Sequence, residues 1–315
     1  MIKMSSRKKP LISVVIPAFN EEKNVSLLYK ELKEVLKSLG KYEIIFVDDG
    51  STDSTFKELK KLYKKGNLKV IKFRRNFGKA AAMSAGLKVA KGKYIITMDA
   101  DLQDNPQEIP KFLKNIEKED YDMIVGWKYP REDTLSKKIA SKIFNFLVRR
   151  VTEVKLHDCG SNFRIFHKEL KEHLPIYGGF FRYIPVIAHW KGFRVGEMKV
   201  KHRKRKYGKT KWGKKRLFKG FFDLLTIKYL TSFSESPLHL FGGIGSFIFG
   251  LGTLIGIYLL YVKYLLDQSI GCSSFLFSAL MIIIGIQFIS FGLLTEMIKF
   301  NNTREKNYLI EEKLV

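Results

Sequence analysis

The chain of 315 residues is poor in cysteine and, relative to its basic residues, poor in acidic ones. Its two cysteines, Cys159 and Cys272, lie in segments of very different character, which excludes a disulfide framework and a cysteine metal knuckle. Asp and Glu number 31 against 57 Lys and Arg, and the formal net charge of +26 predicts an anionic partner. Nucleic acid, anionic lipid headgroups and phosphorylated substrates all fit that charge.

The N-terminal region also lacks an apolar run long enough for a signal peptide. The stretch LISVVI follows a basic segment but is broken at Pro17. We therefore expect the bulk of the chain to begin on the cytoplasmic side. Hydrophobic residues make up 45% of the chain, which is ample for a packed core and excludes a disordered protein.

Long apolar runs are confined to the C-terminal part of the chain. Residues 238–262 contain no full charge, and residues 274–298 are similarly apolar until Glu296. Each run can cross the roughly 30 Å hydrocarbon core of a bilayer as a helix. The pattern predicts a transmembrane hairpin that leaves both flanking regions in the cytoplasm. Two helices of a soluble core are the alternative, although soluble helices of this length without a polar face are rare.

The first 130 residues alternate between β-branched runs and amphipathic stretches. The runs LISVVIPA, YEIIFVDDGS, LKVIKF, YIITMDAD and DMIVGW predict strands, and segments such as 21–40 and 51–65 have apolar residues at helical spacing. This alternation is typical of an α/β fold with a mostly parallel sheet and helices on both faces. Such a sheet binds ligands at the carboxyl ends of its strands.

Acidic residues follow two of these predicted strands. Asp48 and Asp49 end the second strand, and Asp99 and Asp101 end the fourth. Taken singly, Asp99 and Asp101 are better explained by a turn than by a cation site, and the segment of Asp48 and Asp49 is also typical of a helix N-cap. Because the pairs would repel each other at one sheet edge, they favour a cation or hydrogen-bond donors between them. A hard cation with oxygen ligands would also accept phosphate oxygens.

Several segments together resemble the successive motifs of family 2 glycosyltransferases: SVVIPAFNEEKNV, IIFVDDGSTDST, RRNFGKAAAMSAGL and YIITMDADLQDNP. With FSESPLHLFGGIG near the C-terminus, the chain is similar to polyprenyl-phosphate hexosyltransferases, the group of dolichyl-phosphate mannose synthases and bactoprenol glucosyltransferases. The resemblance implies a Rossmann-like GT-A sheet. It also implies inverting transfer of one hexose from a GDP or UDP sugar to a membrane polyprenyl phosphate, with Mg²⁺ or Mn²⁺.

The resemblance further implies roles for individual residues on the donor side. The metal would be held by Asp101 and Gln103, where it neutralises charge on the departing diphosphate. Asp158 corresponds to the expected base, beside Asp99 and Asp101 as catalytic residues. A phosphate monoester is already largely ionised at neutral pH, so Asp158 has the alternative task of orienting the acceptor or a basic side chain. The residues expected to bind the nucleotide sugar are Pro17, Phe19, Glu21, Asp48, Asp49 and Asp99.

Basic residues are the candidates for binding the acceptor phosphate. In the segment 199–220, which has no acidic residue, Arg205, Thr210 and Lys211 match the family stretch Arg-x-x-Gly-x-Ser-Lys. Arginine can bind a phosphate through two parallel N–H bonds. The alternative is a solvated basic loop or a patch for anionic lipid. Further candidates are Lys128, at a position where the family has arginine, and Arg131, Lys137 and Ser141.

Two more segments, 133–154 and 214–233, have apolar faces opposite Lys and Arg faces. They predict helices in the membrane interface, with core helices as the alternative. The expected organisation is a cytoplasmic catalytic domain at 1–212, an interfacial helix at 213–236, a two-helix hairpin at 237–300 and a cytoplasmic tail at 301–315.

The expected partners are a nucleotide diphosphate sugar, polyprenyl phosphate and the bilayer, and the oligomeric state, a homo-oligomer included, stays open. Nucleic acid is not expected, because it would leave the hairpin unexplained. The processive Gln-x-x-Arg-Trp pattern is absent, which favours one transfer per acceptor. The rival functions are a basic membrane-anchored scaffold that binds polyanions without catalysis, and a glycosyltransferase for another lipid or a protein.

Overall fold

The structure is a computed structural model that describes residues 10–64, 68–132, 135–152, 154–174, 180–207, 236–267, 269 and 271–302, with scattered residues between 222 and 233. Thr210, Lys211, most of the segment 213–236 and residues 303–315 lie outside the described residues. The chain divides into two compact units, Met1–Ile227 and Lys228–Val315.

A seven-stranded sheet organises the first unit, with the strand order β3-β2-β1-β4-β6-β5-β7. Among the described strands, β6 alone is antiparallel to its neighbours, β4 and β5, and the remaining pairs are parallel. All five strands predicted in the first 130 residues are present, and the predicted α/β fold class is confirmed. The strands are β1 (Ile12–Ala18), β2 (Tyr42–Asp48), β3 (Leu68–Lys72), β4 (Tyr94–Thr97), β5 (Met123–Lys128), β6 (Arg164–His167) and β7 (Val195–Val200).

Helices cover both faces of this sheet. In β1 the consecutive residues Val14, Val15 and Ile16 are fully buried, as expected for a central strand packed on both sides. The helices are α1 (Glu22–Leu36), α2 (Thr55–Tyr63), α3 (Lys79–Val89), α4 (Ile109–Lys118), α5 (Leu135–Thr152) and α6 (Ile184–Trp190), with short 3₁₀ turns at Pro106–Glu108, Lys168–His173 and Phe180–Arg182.

A tight turn follows β2 and positions the segment before α3. Gly50 has a φ of +67°, and a Cβ added there would lie 2.3 Å from the carbonyl carbon of Arg75. The backbone conformation and the close approach both require glycine at this point. The loop after β2 therefore packs directly on the backbone that leads into α3.

The second unit contains two long helices, α7 (Pro237–Leu265) and α8 (Cys272–Asn302). Glycines let their backbones approach closely, since a Cβ on Gly245 would lie 2.6 Å from the carbonyl oxygen of Gly285. Ser278 Oγ also donates a hydrogen bond of 2.8 Å to the carbonyl oxygen of Gly252. These contacts make α7 and α8 a packed pair.

Both helices are long and apolar enough to cross a membrane, and they include the predicted spans 238–262 and 274–298. Only 11% of the most apolar 18-residue stretch of α7 and 17% of that of α8 are buried within the protein. Large side chains such as Phe247, Leu254 and Leu276 are exposed. A core helix of a soluble protein would bury such residues, so this surface favours contact with lipid.

Candidate active site

The loops that follow β1 and β2 are joined by hydrogen bonds at the carboxyl edge of the sheet. Ala18, the last residue of β1, is registered opposite Asp48, the last residue of β2. The Asn20 side chain accepts a 2.9 Å bond from the Thr52 N–H, and the Glu21 N–H donates a 2.8 Å bond to Thr55 Oγ1. The predicted residues Pro17, Phe19, Glu21 and Asp48 are thereby brought to one place.

The two carboxylate oxygens of Asp48 differ in their hydrogen bonds to the described residues. Oδ1 accepts a 3.1 Å bond from the Ser51 N–H. Oδ2 is buried and has no hydrogen-bond donor among the described residues. A buried carboxylate oxygen is costly without a donor, so this atom is suited to a ligand that brings an N–H or O–H group.

Asp49, the neighbouring residue, contacts the backbone that precedes α3. Its Oδ1 accepts a 2.8 Å bond from the Phe77 N–H, and its Oδ2 accepts a 2.9 Å bond from the Gly78 N–H. These hydrogen bonds hold the residues that precede α3 against the end of β2. Its predicted nucleotide-sugar contact stays a prediction.

The acidic loop, residues 98–105, follows β4 and carries three carboxylates that are each matched by a basic side chain. Asp99 Oδ1 lies 2.5 Å from Lys79 Nζ and accepts a 2.9 Å bond from Asn162 Nδ2. Burial favours the neutral form of this carboxyl, but the charges of Lys79 and Lys128 lower the pKa of Asp99 to about 2. Asp99 is therefore ionised at neutral pH.

Asp104 is the most deeply buried carboxylate of the acidic loop and pairs with Lys128. Lys128 Nζ lies 2.8 Å from Asp104 Oδ1, and the Asp99 N–H donates to Asp104 Oδ2 over 3.2 Å. Burial acts to lower the pKa of Lys128, but the charges of Asp104 and Asp99 raise it. Lys128, predicted to bind the acceptor phosphate, thus stabilises the acidic loop here.

Asp101 pairs with Arg205, which sequence analysis assigned to a different substrate. Its Oδ2 accepts a 2.7 Å bond from Arg205 Nη2, and its Oδ1 accepts a 3.1 Å bond from the Gln103 N–H. Between Asp101 and Gln103, Leu102 has a φ of +63°. A bulky residue in the left-handed region is strained by about 1–3 kcal/mol, and such strain clusters at functional sites.

Arg205 reaches the acidic loop because the chain after β7 runs alongside it. Arg203 donates its N–H to the Gln103 carbonyl oxygen over 2.9 Å, and His202 forms a β-bridge with Asp104. Arg205 Nη2 also lies 3.7 Å from Glu21 Oε1. Although burial opposes it, the hydrogen bond to Asp101 raises the pKa of Arg205, so the guanidinium stays charged.

The Arg131 cluster, which consists of Arg131, Ser141, Asn145 and Asp158, combines residues before α5, within α5 and before β6. Arg131 Nη1 donates to Ser141 Oγ over 2.5 Å and lies 3.6 Å from Asp158 Oδ2. Asn145 Nδ2 is 3.4 Å from the same Ser141 Oγ. Burial raises the pKa of Asp158, while the charges of Arg131 and Lys128 oppose that rise.

The structure brings Arg131 and Ser141 together with Asp158 and pairs Lys128 and Arg205 with the acidic loop, and their binding of the acceptor stays a prediction. The backbone of Lys137 lies in α5, but its side chain is outside the described part of the chain, as are Thr210 and Lys211. Lys79, Asn145 and Asn162 are additions that sequence analysis missed. Lys79 lies within the quoted motif RRNFGKAAAMSAGL, and Asn162 lies in the segment HDCGSNFRIF at 157–166; a polar residue beside glycine or serine was the available signal.

The residues present fit a divalent cation only with help from a ligand. Among the described residues, no group of three or more His, Cys, Asp or Glu side chains is arranged to hold a metal ion. Asp101 already binds a cationic group, and Mg²⁺ commonly takes one or two carboxylates plus substrate phosphates. Asp101 and Gln103 would therefore supply part of a coordination shell that diphosphate oxygens complete.

A buried thiol nearby is not a nucleophile. Burial and the neighbouring charges of Asp158 and Glu197 raise the pKa of Cys159 to about 12, so the thiol stays protonated. The site offers carboxylates, cations and amides, which suits electrostatic stabilisation of a displacement without a covalent enzyme intermediate.

Comparison with known proteins agrees with this geometry. Residues 13–174 match glycosyl transferase family 2. The chain belongs to this family. This glycosyltransferase is 35% identical over 96% of its length to a dodecaprenyl-phosphate galacturonate synthase of Rhizobium johnstonii, and covers 92% of that protein. It is 32% identical over 99% of its length to an undecaprenyl-phosphate 4-deoxy-4-formamido-L-arabinose transferase of Photorhabdus laumondii, and covers 96% of it. The resemblance to polyprenyl-phosphate enzymes is confirmed.

The fold of the glycosyltransferase is shared with solved structures at low sequence identity. Glucosyl-3-phosphoglycerate synthase of Mycobacterium tuberculosis, in complex with Mn²⁺, UDP and glucosyl-3-phosphoglycerate, superimposes with a TM-score of 0.55 and 17% identity, over 70% of this chain and 80% of that one. The same enzyme with Mg²⁺ and UDP also has a TM-score of 0.55 and 17% identity, over 70% of this chain and 79% of that one. These likenesses confirm the GT-A type of sheet.

Proposed function

We propose that this glycosyltransferase moves one sugar from a nucleotide diphosphate sugar to a membrane polyprenyl phosphate, with inversion at the anomeric carbon. The observation that supports the proposal is the arrangement of charged residues at the carboxyl edge of the sheet. There, the acidic loop and its partner Arg205 lie on the same side of the sheet as the Arg131–Ser141 pair. The acidic loop suits a metal-bound sugar donor, and the Arg131–Ser141 pair suits an anionic acceptor. The names of the relatives support the same pairing of substrates.

The donor half would use Asp48, Asp101 and Gln103. Asp48 Oδ2, which is buried and has no hydrogen-bond donor in the described part of the chain, is suited to a donor group on the nucleoside. Mg²⁺ or Mn²⁺ on Asp101 would supply the charge neutralisation that the leaving diphosphate needs. We favour a UDP sugar over a GDP sugar, since the structurally similar synthase binds UDP.

The acceptor half would use Arg131, Ser141 and Arg205. A phosphate monoester has its second pKa near 6, so its oxygen can attack the anomeric carbon without a base. Asp158, 3.6 Å from Arg131, then orients that guanidinium. Arg131 can offer a planar pair of N–H donors to the phosphate, with the Ser141 hydroxyl beside it.

Arg205 links the two halves. Its 2.7 Å contact with Asp101 Oδ2 has to open before that oxygen can ligate a cation. The guanidinium is then available for the acceptor phosphate next to the donor. This order would favour donor binding before acceptor binding.

A lipid acceptor requires the site to lie near a bilayer, and two features support that placement. Helices α7 and α8 are suited to anchoring the chain as a two-pass membrane protein, with the catalytic unit on the cytoplasmic face. In α5 the apolar side chains Ile139, Ile143 and Phe146 recur at helical spacing and are exposed, opposite the buried Val148. An exposed apolar stripe flanked by basic residues fits an interfacial helix.

The test is release of nucleotide diphosphate with and without polyprenyl phosphate. The sugar panel should include UDP-galacturonic acid, UDP-glucose, GDP-mannose and a UDP-4-deoxy-4-formamido-arabinose, because the relatives carry a uronic acid and a pentose derivative. We expect release that depends on polyprenyl phosphate and on Mg²⁺ or Mn²⁺. Release of nucleotide diphosphate that does not depend on polyprenyl phosphate would point to another acceptor. Binding of polyanions with no release from any donor would favour a scaffold.

A further inference from the structure

Lys79 lies at the first turn of α3 and faces the acidic loop. Hydrogen bonds fix this placement, because the Asp49 carboxylate accepts bonds from the N–H groups of Phe77 and Gly78, which directly precede Lys79. Gly86 packs α3 onto β1 and β2, where a Cβ would lie 2.4 Å from Val15 Cγ1. Because a crossover helix runs antiparallel to its strands, the start of α3 lies at their carboxyl edge. The backbone at Lys79 is thus held at the end of β2, and its side chain reaches Asp99 after β4.

Two side chains from different elements hold one oxygen of Asp99. Lys79 Nζ lies 2.5 Å from Oδ1, and Asn162 Nδ2 donates to the same Oδ1 over 2.9 Å. Asn162 is itself fixed, since its carbonyl oxygen accepts a 2.6 Å bond from Thr97 Oγ1 at the end of β4. The Lys79 ammonium also lies 5.2 Å from the centre of the Phe181 ring. The orientation of the Asp99 carboxylate is therefore determined by the surrounding fold.

The Lys79–Asp99 pair is still partly exposed. The side chains of Lys79 and Asp99 are 30% and 29% exposed, whereas Asp104 and its partner Lys128 are nearly buried. With Oδ1 held twice, the hydrogen bonds described for the carboxylate leave Oδ2 as the oxygen to meet a ligand hydroxyl. A charged acceptor in fixed geometry discriminates strongly for a hydroxyl group in that position.

Resting on the proposed function, we propose that Lys79 and Asn162 are positioning residues that orient Asp99 to accept a hydrogen bond from a hydroxyl of the donor sugar. They act on the sugar and not on the nucleotide, which binds at Asp48 and Asp101. Lys79 thereby controls how much the sugar adds to the affinity of the nucleotide diphosphate. The alternative is direct binding of the diphosphate by Lys79.

The experiment compares the Kd of UDP with the Kd of the UDP sugar that the wild-type enzyme turns over best. It uses the full chain in nanodiscs with Mn²⁺, and the variants Lys79→Met, Lys79→Arg and Asn162→Ala. Lys171→Met is the matched control, because Lys171 Nζ caps the other end of α3 at the carbonyl oxygens of Leu87 and Ala90. The thermal midpoint of each variant is measured in parallel.

We expect Lys79→Met and Asn162→Ala to bind UDP as the wild type does and to bind the UDP sugar about tenfold or more weakly, the usual effect of losing one charged hydrogen bond. Lys79→Arg should recover most of the loss. Lys171→Met should lower the thermal midpoint without changing the ratio of the two Kd values.

An equal loss of UDP and UDP-sugar affinity in Lys79→Met would overturn the inference in favour of a diphosphate contact. An unchanged ratio in Lys79→Met and Asn162→Ala would overturn it as well. A wild-type protein that binds UDP but turns over no nucleotide sugar would instead refute the proposed function, and the inference with it.

Discussion

The acidic loop after β4 and the Arg131 cluster around Asp158 place carboxylates at the same edge of the sheet, in opposite electrostatic situations. Two lysines lower the pKa of Asp99 to about 2, despite its burial. Burial raises the pKa of Asp158, although Arg131 and Lys128 oppose the rise. The difference shows that position at the edge does not set the charge of a carboxylate. Both carboxylates are partly or fully buried beside two cations, but Lys79 Nζ lies 2.5 Å from Asp99 Oδ1, whereas Arg131 Nη1 lies 3.6 Å from Asp158 Oδ2.

The two regions also use arginine differently. Arg205 is held against Asp101 by a 2.7 Å hydrogen bond, whereas Arg131 donates to a neutral hydroxyl and lies 3.6 Å from Asp158. An arginine bound to a carboxylate must be released before it can bind phosphate. Arg205 and Arg131 therefore differ in the group to which they donate a hydrogen bond, a carboxylate oxygen for Arg205 and a hydroxyl oxygen for Arg131.

The largest effect is expected from the acidic loop. Asp101→Asn removes the charge at nearly constant size, and sugar transfer should fall by at least about a hundredfold, the scale of losing a transition-state charge stabiliser. Steady-state transfer with Mn²⁺ measures this. The matched control is Asp120→Asn, because Asp120 is an exposed carboxylate that pairs with Arg194 at the surface. Near-normal wild-type turnover in EDTA would contradict a metal at Asp101.

A smaller effect is expected from Arg205. Arg205→Ala should raise the KM for polyprenyl phosphate about tenfold or more, as for other charged hydrogen bonds. It should leave the Kd of the UDP sugar nearly intact, because Asp48 and Asp101 remain. Arg194→Ala, a surface arginine that pairs with Asp120 and Asp122, is the control. Equal weakening of donor and acceptor would assign Arg205 to the diphosphate.

The pH dependence of stability should separate Asp99 from Asp158. The folded pKa of Asp99 is below its ordinary value of 3.8, so its stabilisation is present above that pH and is lost as the pH falls towards 2. Asp99→Asn should therefore lower the free energy of unfolding at neutral pH by up to about 2 kcal/mol, less any solvent screening.

For Asp158 the sign is reversed, because its folded pKa is raised and stability falls as the pH rises above the ordinary value. Asp158→Asn should cost little stability at neutral pH or increase it. Unfolding of the full chain in detergent, followed between about pH 2 and pH 7, compares the variants. Identical pH profiles for the Asp99 and Asp158 variants would remove the contrast between the two regions.

The smallest effect on donor binding is expected from the helix pair. Gly245→Leu places a side chain where a Cβ alone would lie 2.6 Å from the Gly285 carbonyl oxygen, so α7 and α8 should separate. Gly250→Leu is the matched control, since nothing lies within 4 Å of a Cβ there. UDP binding should be unchanged in both variants. Loss of UDP binding in Gly245→Leu alone would make the helix pair part of the donor site.

Strand periodicity predicted the first five strands because each is a short apolar run bounded by turn residues. Strands β6 and β7 were not predicted, since the four residues of β6 and the mixed pattern VGEMKV of β7 carry little periodic signal. Their pairing is decided by distant partners, as in the register of β6 against both β4 and β5. The same long-range pairing carries Arg205 to Asp101, which spacing along the chain could not indicate.

The sequence by itself determined the class of sheet, the apolar C-terminal helices and the position of carboxylates at strand ends, because those follow from local periodicity and strand direction. Only the tertiary structure decided which cation each carboxylate meets. Lys79 reaches Asp99, Lys128 reaches Asp104 and Arg205 reaches Asp101 across separations that range from 20 to 104 residues. Charge pairing depends on distance in space, and the close packing of α3, β5 and the chain after β7 around the acidic loop sets that distance.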